Sequence, residues 1–292
     1  RTVAAGDLFV ALDGERFDGH DFVAQAFARG AAGAVVHRDP TDLAPGDADR
    51  LFRVEDSLVA LGALAHYRRR ELGARGTRVV AITGSSGKTT VKELTRAALG
   101  ARWRVHATRG NLNNRIGVPL TILGTPPDTG ILLLELGTNE PGEIAALTAI
   151  SAPETAVITT VGPAHLEKLG SLDGVLQEKT ALAVGTASDG WVVVGDEPPV
   201  LAVRVKELRP RVRVEDDDGA PVAGLTVVFS TPEGGGTVGG SQATTDEDGI
   251  ATVGSWRLGN RAGPNTLVAS ADQLPPVEFT ATGVPGPPAA LE

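Results

Sequence analysis

The sequence predicts an α/β fold in three parts: a small α/β domain over residues 1–77, a doubly wound and mostly parallel phosphate-loop domain over 78–205, and an all-β sandwich over 206–284. Residues 285–292 are expected to be a tail, with Leu291-Glu292 an appended scar. Three observations carry this reading. Strand-like and helix-like runs alternate through residue 205, the rhythm of a parallel sheet with crossover helices. The stretch VVAITGSSGKTT, residues 79–90, passes from an apolar β-branched run through a glycine turn into a helix. From about residue 206 the helical period stops, and short alternating runs are separated by GAPVAG, PEGGG, DEDG and NRAG turns.

Taken in order, LFVAL reads as a strand, DGERFDGHD as a loop, the alanine-rich FVAQAFARGA as a helix and AGAVVH as a second strand. LVALGALAHYRRR follows with helical period, and its basic cluster Arg68 to Arg70 is expected to complement a helix C-terminus. VVAIT is the first strand of the second domain, followed by a helix from Lys88 to Leu99 and the strand WRVHA. Beyond the segment IGVPLTIL come the buried strand ILLLEL, the helix PGEIAALTAI, the strand TAVITTV, a helix across 172–184 and the strand WVVVG. Such a sheet gathers ligands at the C-terminal edges of its strands. In the third part RVRVE, LTVVFS, IATVGSW, NTLVAS and VEFTA read as antiparallel strands.

The 292 residues, 41% hydrophobic and 22% charged, suffice for two or three domains with a substantial core. A net charge of −9 argues against a nucleic-acid partner, because that binding is driven by Lys and Arg at phosphates. No apolar run approaches the roughly 20 residues that span a bilayer, so no membrane span is expected, and RTVAAGD is not a signal peptide. The absence of cysteine excludes disulfides and thiolate metal sites.

TGSSGKTT has the chemistry of a phosphate cradle. Gly84 and Gly87 let the backbone turn so that the N–H groups of Ser85, Ser86 and Thr90 point toward an anion. Lys88 adds a point charge for β and γ phosphates, and Thr89 offers a hydroxyl to Mg²⁺. The usual G-x-x-x-x-G-K-[ST] spacing would put glycine at position 82, where this chain has Ile82, so the loop is a shorter variant. Glu135 ends an apolar strand that cannot bury a carboxylate without a partner, which suits a Mg²⁺ ligand facing the loop; an exposed strand-end acid is the plainer alternative. His165 follows TAVITTV at the same edge, where a lone histidine is more often structural. Lys179 lies in a helix, where a lysine is ordinarily solvated.

TGSSGKTT, GNLNNRIGVPLTIL (110–123), LELGTNEPGEI (134–144) and VGPAHLEKLGSLDGVLQEK (161–179) together resemble the Mur ligases. The N-terminal RTVAAGDLFVALDGERFDGHDFVAQAFARGAAGAVV is similar to that family's uridine-nucleotide domain, so the resemblance covers about residues 1–198. It implies an ADP-forming amide ligase of peptidoglycan precursor synthesis that joins D-alanyl-D-alanine to UDP-N-acetylmuramoyl-tripeptide. ATP first phosphorylates the peptide carboxylate to an acyl phosphate, which the amine then attacks. Carried over position by position, Lys88 would hold ATP phosphates, Thr89 and Glu135 one Mg²⁺, and His165 a metal near the γ-phosphate. Lys179 matches a lysine that captures CO₂ as a carbamate and ligates a second Mg²⁺, which requires a desolvated amine of lowered pKa. Asn113 and Asn114 match asparagines near nucleotide and substrate, with helix-capping turn residues as the alternative. ATP and the UDP-linked precursor imply the cytoplasm.

Two departures accompany the resemblance. Val194 stands where the family has an asparagine that contacts adenine, and the family's third domain, which binds the amine and closes on ATP, is not found after residue 198. Full turnover is therefore expected to be impaired. Residues 206–284 instead resemble bacterial immunoglobulin-like domains of the invasin and intimin type, with Trp256 and Leu258 in the core. Those modules usually sit in the envelope or outside, so the alternative is a non-catalytic adhesion or scaffold protein with a surface partner for the sandwich. The acidic run Glu215 to Asp218 reads as a solvated turn, with Ca²⁺ binding as its alternative.

Overall fold

The computed structural model describes residues 3–14, 17–187, 190–195, 197–208, 211–216, 218–259, 263–272 and 274–283. Asp217, the NRA of the last predicted turn and the 285–292 tail with its Leu291-Glu292 scar lie outside the described residues.

The N-terminal strands β1 (Leu8–Val10), β2 (Gly33–Val36) and β3 (Leu51–Arg53) form a parallel sheet in that order. Helix α1 (Val23–Ala28) buries Val23, Ala26 and Phe27 against Ala11, Ala34 and Val36. β3 has only three residues, too few to show alternation, and the sequence reading passed over it. Helix α2 (Ser57–Ala74) starts at Asp56, whose carboxylate accepts from the N–H groups of Leu58 and Val59 at 2.7 and 3.0 Å.

The central layer runs β4 (Arg78–Thr83), α3 (Lys88–Gly100), β5 (Val105–Ala107), α4 (Gly117–Leu123), β6 (Ile131–Glu135), α5 (Glu143–Ser151), β7 (Thr155–Ile158), α6 (Leu166–Leu169), α7 (Leu172–Val184), β8 (Trp191–Val194) and α8 (Pro199–Leu208). IGVPLTIL is thus mainly the short helix α4. The five strands are parallel in the order β5-β6-β4-β7-β8. From β4 the chain crosses two places one way through α3 and then works back the other way through α4, α5 and α7. Right-handed crossovers therefore put α3 on one face and the later helices on the other. The connections after β4 and β6 leave toward opposite faces, and the crevice between these neighbours is the switch point where ligands bind in such sheets. All five residues of β6 are buried, as its apolar run predicts.

Two expectations change here. Helix α2, assigned by sequence to the first domain, packs against α4 and α5, and its Ala65 joins the central core with Val118 and Leu147. Arg69 does complement a helix C-terminus, but not that of its own helix. Its guanidinium donates to the carbonyls of Ser151 and Ala152 at the end of α5, at 2.9 and 3.0 Å, and pairs with Glu154. Helix capping of this kind needs only a cation near the last carbonyls, whichever element supplies it.

The sandwich has a four-stranded antiparallel sheet in the order β12-β10-β15-β16, with two flanking ribbons, β11–β14 and β9–β13. Its strands are β9 (Arg211–Arg213), β10 (Thr226–Ser230), β11 (Thr237–Gly239), β12 (Gln242–Thr244), β13 (Ile250–Thr252), β14 (Ser255–Arg257), β15 (Gly263–Ala271) and β16 (Val277–Gly283). IATVGSW divides into β13 and β14. Alternate residues Asn265, Leu267 and Ala269 of β15 point inward, as period two requires. Trp256 is fully buried with its indole N–H donating to Gly235 O at 2.9 Å, and Leu258 is half-buried beside it. The expected end of helical structure near 206 is corrected: α8 continues to Leu208, its Leu201 and Val205 enter the central core, and it touches both α7 and strands β14 and β16. Among the described residues no helix is long and apolar enough to cross a membrane.

Candidate functional site

The loop after β4 turns as the glycines demand. Gly84 has φ +149°, and a Cβ there would lie 2.0 Å from Thr159 Oγ1, so no side chain fits. Gly87, at φ +79°, caps α3, and Lys88 begins the helix, leaving the amides of its first turn without intrahelical acceptors. The neighbouring segment after β7 holds the loop in place. Ser85 N donates to Thr160 O at 2.9 Å, Ser85 Oγ to Gly162 O at 2.9 Å and Ser86 N to Thr160 Oγ1 at 3.2 Å. Lys88 folds back to donate to Gly84 O at 2.7 Å. Burial lowers its pKa from the usual lysine value, opposed by the nearby Glu135 carboxylate. Thr90 is exposed beside it on the first helical turn.

Glu135 is 3% exposed at the end of β6, next to the loop through the β4–β6 register that pairs it with Ile82. Oε2 accepts from Thr89 Oγ1 at 3.0 Å, and Oε1 accepts from Asn113 Nδ2 at 3.1 Å. The partner that a buried carboxylate needs is Lys92, which sequence reasoning missed. Its ammonium, 2% exposed, lies 3.6 Å from Oε2 and donates to Thr108 O at 3.0 Å. The signal was present: Lys92 follows Lys88 by four and Thr89 by three, one face of a helix. Two hard oxygen donors, Thr89 Oγ1 and Glu135 Oε2, adjoining a phosphate loop suit Mg²⁺, which takes one or two protein oxygens and completes its shell with phosphate and water.

A cavity of about 120 Å³ opens beside Lys88, lined by Asn113, Asn114 and His165 and by the loop residues Gly137, Thr138 and Asn139 with Glu143. Asn114 Oδ1 accepts from the N–H groups of Ile116 and Gly117 at 3.2 and 2.9 Å, so it also serves as the turn cap that sequence allowed. His165 sits at φ +52°, the left-handed region, at the head of the single turn α6. A non-glycine residue held there stores about 1–3 kcal/mol, and such strain collects at functional sites. Lys179 on α7 is 2% exposed, and its amine makes no hydrogen bond or ion pair among the described residues. Burial, with the Lys88 charge adding to it, lowers its pKa to about 8. A largely buried lysine whose amine has no hydrogen-bond or ion-pair partner among the described residues, and whose pKa is lowered, suits carbamate formation. Val194 faces inward on β8, half-buried against the central core.

A second group lies in the N-terminal sheet. Asp13, His20 and His37 bring ligand atoms within 4.8 Å of one another, the only such triad among the described residues. Of the acidic run, the described Glu215, Asp216 and Asp218 join no such cluster, and Asp216 Oδ1 accepts from Asp218 N and Ala220 N at 3.1 and 2.8 Å. The triad is explained by hydrogen bonds alone. His20 Nδ1 meets Asp18 Oδ1 at 2.7 Å while its Nε2 accepts from His37 N at 3.2 Å, which fixes the Nδ1–H tautomer and leaves no lone pair for an ion. His37 joins Asp13 through Nε2 at 3.2 Å and Ser57 Oγ through Nδ1 at 3.0 Å, linking this sheet to the start of α2.

Comparison with known proteins extends this picture. Residues 1–69 match the Mur ligase family, catalytic domain; residues 82–221 match the Mur ligase middle domain; residues 193–282 match the bacterial Ig-like domain of group 1. The UDP-N-acetylmuramoyl-tripeptide--D-alanyl-D-alanine ligase of Bacillus subtilis is 44% identical over 199 residues, 68% of this chain and 42% of that protein. Its namesake in Escherichia coli is 45% identical over 194 residues, 66% of this chain and 41% of the relative. The chain thus spans about two fifths of the length of these curated relatives. The crystal structure of MurF from Acinetobacter baumannii superposes with a TM-score of 0.64 at 38% identity, covering 71% of this chain and 44% of that one. MurF ligase from Thermotoga maritima, solved in complex with ADP, superposes at 0.63 and 32% identity over 89% of this chain and 57% of the other. The first two parts of this chain, its N-terminal and middle domains, belong to the Mur ligase family and are followed by a bacterial Ig-like domain.

Proposed function

We propose that this chain carries the nucleotide-binding part of an ATP-dependent amide ligase, one that adds D-alanyl-D-alanine to UDP-N-acetylmuramoyl-tripeptide. The observation that supports this best is the convergence of Lys88, Asn113, Thr138 and His165 on one cavity, with Glu135 bound to Asn113 and Lys179 within electrostatic reach of Lys88. In this reading the first-turn amides from Gly87 to Thr90, and not those of Ser85 and Ser86 that Thr160 already accepts, bind the inner phosphates, and Lys88 exchanges Gly84 O for a phosphate oxygen. Thr89 and Glu135 would hold one Mg²⁺, and His165 with a carbamylated Lys179 a second. When bound, these ions supply charge neutralisation on the transferring phosphoryl group. The cavity beside Lys88 would take that group together with the acceptor carboxylate. The N-terminal sheet would bind the uridine end of the precursor. ATP and a nucleotide-linked precursor put this work in the cytoplasm.

Calorimetry with a non-hydrolysable ATP analogue and Mg²⁺ tests the nucleotide site. Wild type is expected to bind, with Lys88→Ala weaker by about 10-fold or more, the loss of one charge-assisted contact. No binding by wild type would overturn the reading. Carbamylation is tested by a ¹³C resonance from labelled CO₂ that disappears in Lys179→Met.

A further inference from the structure

Glu178 lies next to Lys179 on α7, is 6% exposed, and has no part in the chemistry above. Its carboxylate leaves its own helix and ends at another. Oε2 accepts from Gly142 N at 2.7 Å and Oε1 from Ile144 N at 2.8 Å, the N-cap and second residue of α5. Thr138 Oγ1 is 3.1 Å from Oε1, although its single proton is shared with Glu140 O at 2.8 Å and Glu143 Oε2 at 3.2 Å. Helix α5 needs this borrowed cap because Gly142, at its own N-cap, offers no side chain. A carboxylate at a helix N-terminus is favoured both by the orphan N–H groups and by the dipole.

The loop held in this way lines the cavity. Gly137, Thr138 and Asn139 run into the α5 cap, Glu143 is its first helical residue, and all four border the space beside Lys88 and His165. Adjacent residues on a helix point about 100° apart, so one turn of α7 aims Lys179 toward the Lys88 region and Glu178 at the opposing loop. Without Glu178, the buried Ile144 N–H is orphaned, and among the described residues no other hydrogen bond ties α7 to the loop.

We infer that Glu178 is a positioning residue: it sets the 137–143 loop against Lys88 and His165, so that this chain accepts a terminal γ-phosphate in the cavity rather than only the inner phosphates on the glycine loop. The inference rests on the nucleotide reading proposed above. It separates two parts of one ligand. The inner phosphates lie on amides that Glu178 does not touch, whereas the terminal group enters the space whose wall Glu178 fixes.

The experiment is titration of wild type, Glu178→Ala and Glu178→Gln with Mg²⁺ and either ADP or a non-hydrolysable ATP analogue, with thermal melts in parallel. Glu178→Ala is expected to weaken the ATP analogue about 10-fold, the loss of roughly one charge-assisted hydrogen-bond pair, and ADP by less than about 3-fold. Glu178→Gln keeps one acceptor oxygen and sets an amide donor against the other N–H, so its ATP-to-ADP ratio should fall between those of wild type and Glu178→Ala; it also stands in if the alanine variant does not fold. An unchanged ratio in both variants, or equal weakening of both nucleotides, would overturn the role of Glu178 while leaving the nucleotide site standing. Failure of wild type to bind either nucleotide would overturn the nucleotide reading itself.

Discussion

Replacing Lys179 by methionine is expected to stabilise the central domain, against the usual outcome of substitution at a buried position. Lys179 is 2% exposed, its amine has no hydrogen-bond or ion-pair partner among the described residues, and burial lowers its pKa from 10.5 to about 8. At about 1.4 kcal/mol per unit, that depression means that holding the charged amine in the fold costs about 3 kcal/mol at neutral pH. The sign follows from proton counting. Because the folded pKa lies below the unfolded one, the unfolded chain binds more protons between pH 8 and 10.5, and native stability rises with pH across that window. Methionine has similar length and no charge, so it removes the penalty and the slope together. For a unit of roughly 200 residues, about 3 kcal/mol corresponds to a rise of roughly 6–12 °C in Tm. Calorimetric melts of both proteins at pH 7 and pH 10.5, in CO₂-free buffer with chelator, measure it. A variant that melts at or below wild type at pH 7, or a difference that is the same at both pH values, refutes the reasoning.

Other outcomes follow from single contacts. Gly84→Ala puts a Cβ 2.0 Å from Thr159 Oγ1 at a left-handed φ and should abolish nucleotide binding in calorimetry while lowering Tm. Arg69→Ala orphans the carbonyls of Ser151 and Ala152 and is expected to cost about 2–3 kcal/mol in urea unfolding, with faster amide exchange at the end of α5. His20, whose pKa burial and then His37 lower from 6.5, binds fewer protons folded than unfolded, so stability should fall as pH drops below about 6.5; His20→Gln should flatten that dependence in pH-resolved melts.

The sequence carried the site further than it carried the boundaries. Glycines at 84 and 87, the lysine and threonine after them, and an acid ending an apolar strand are local signals, and the parallel sheet brings them together as its strand order requires. Lys92 and Glu178 were overlooked because each is one charged residue on a helix, where a solvated side chain is the ordinary case; only the neighbouring element shows where the charge ends. The cap made by Arg69 was legible as chemistry but not as address, since a guanidinium does not encode which helix it will meet. The three-residue strand β3 and the helix α8 lay where periodic signals are short or where two patterns meet.

Helix α8 changes what it means to join these parts. Leu201 and Val205 complete the central core, the same helix rests on α7 and touches β14 and β16, and only residues 209 and 210 separate it from β9. A tether with slack would absorb force; a shared helix transmits it. Tension on the sandwich is therefore delivered to the helix that carries Lys179, and an attempt to excise the sandwich by cutting ahead of residue 199 would strip two apolar anchors from the neighbour it was meant to spare.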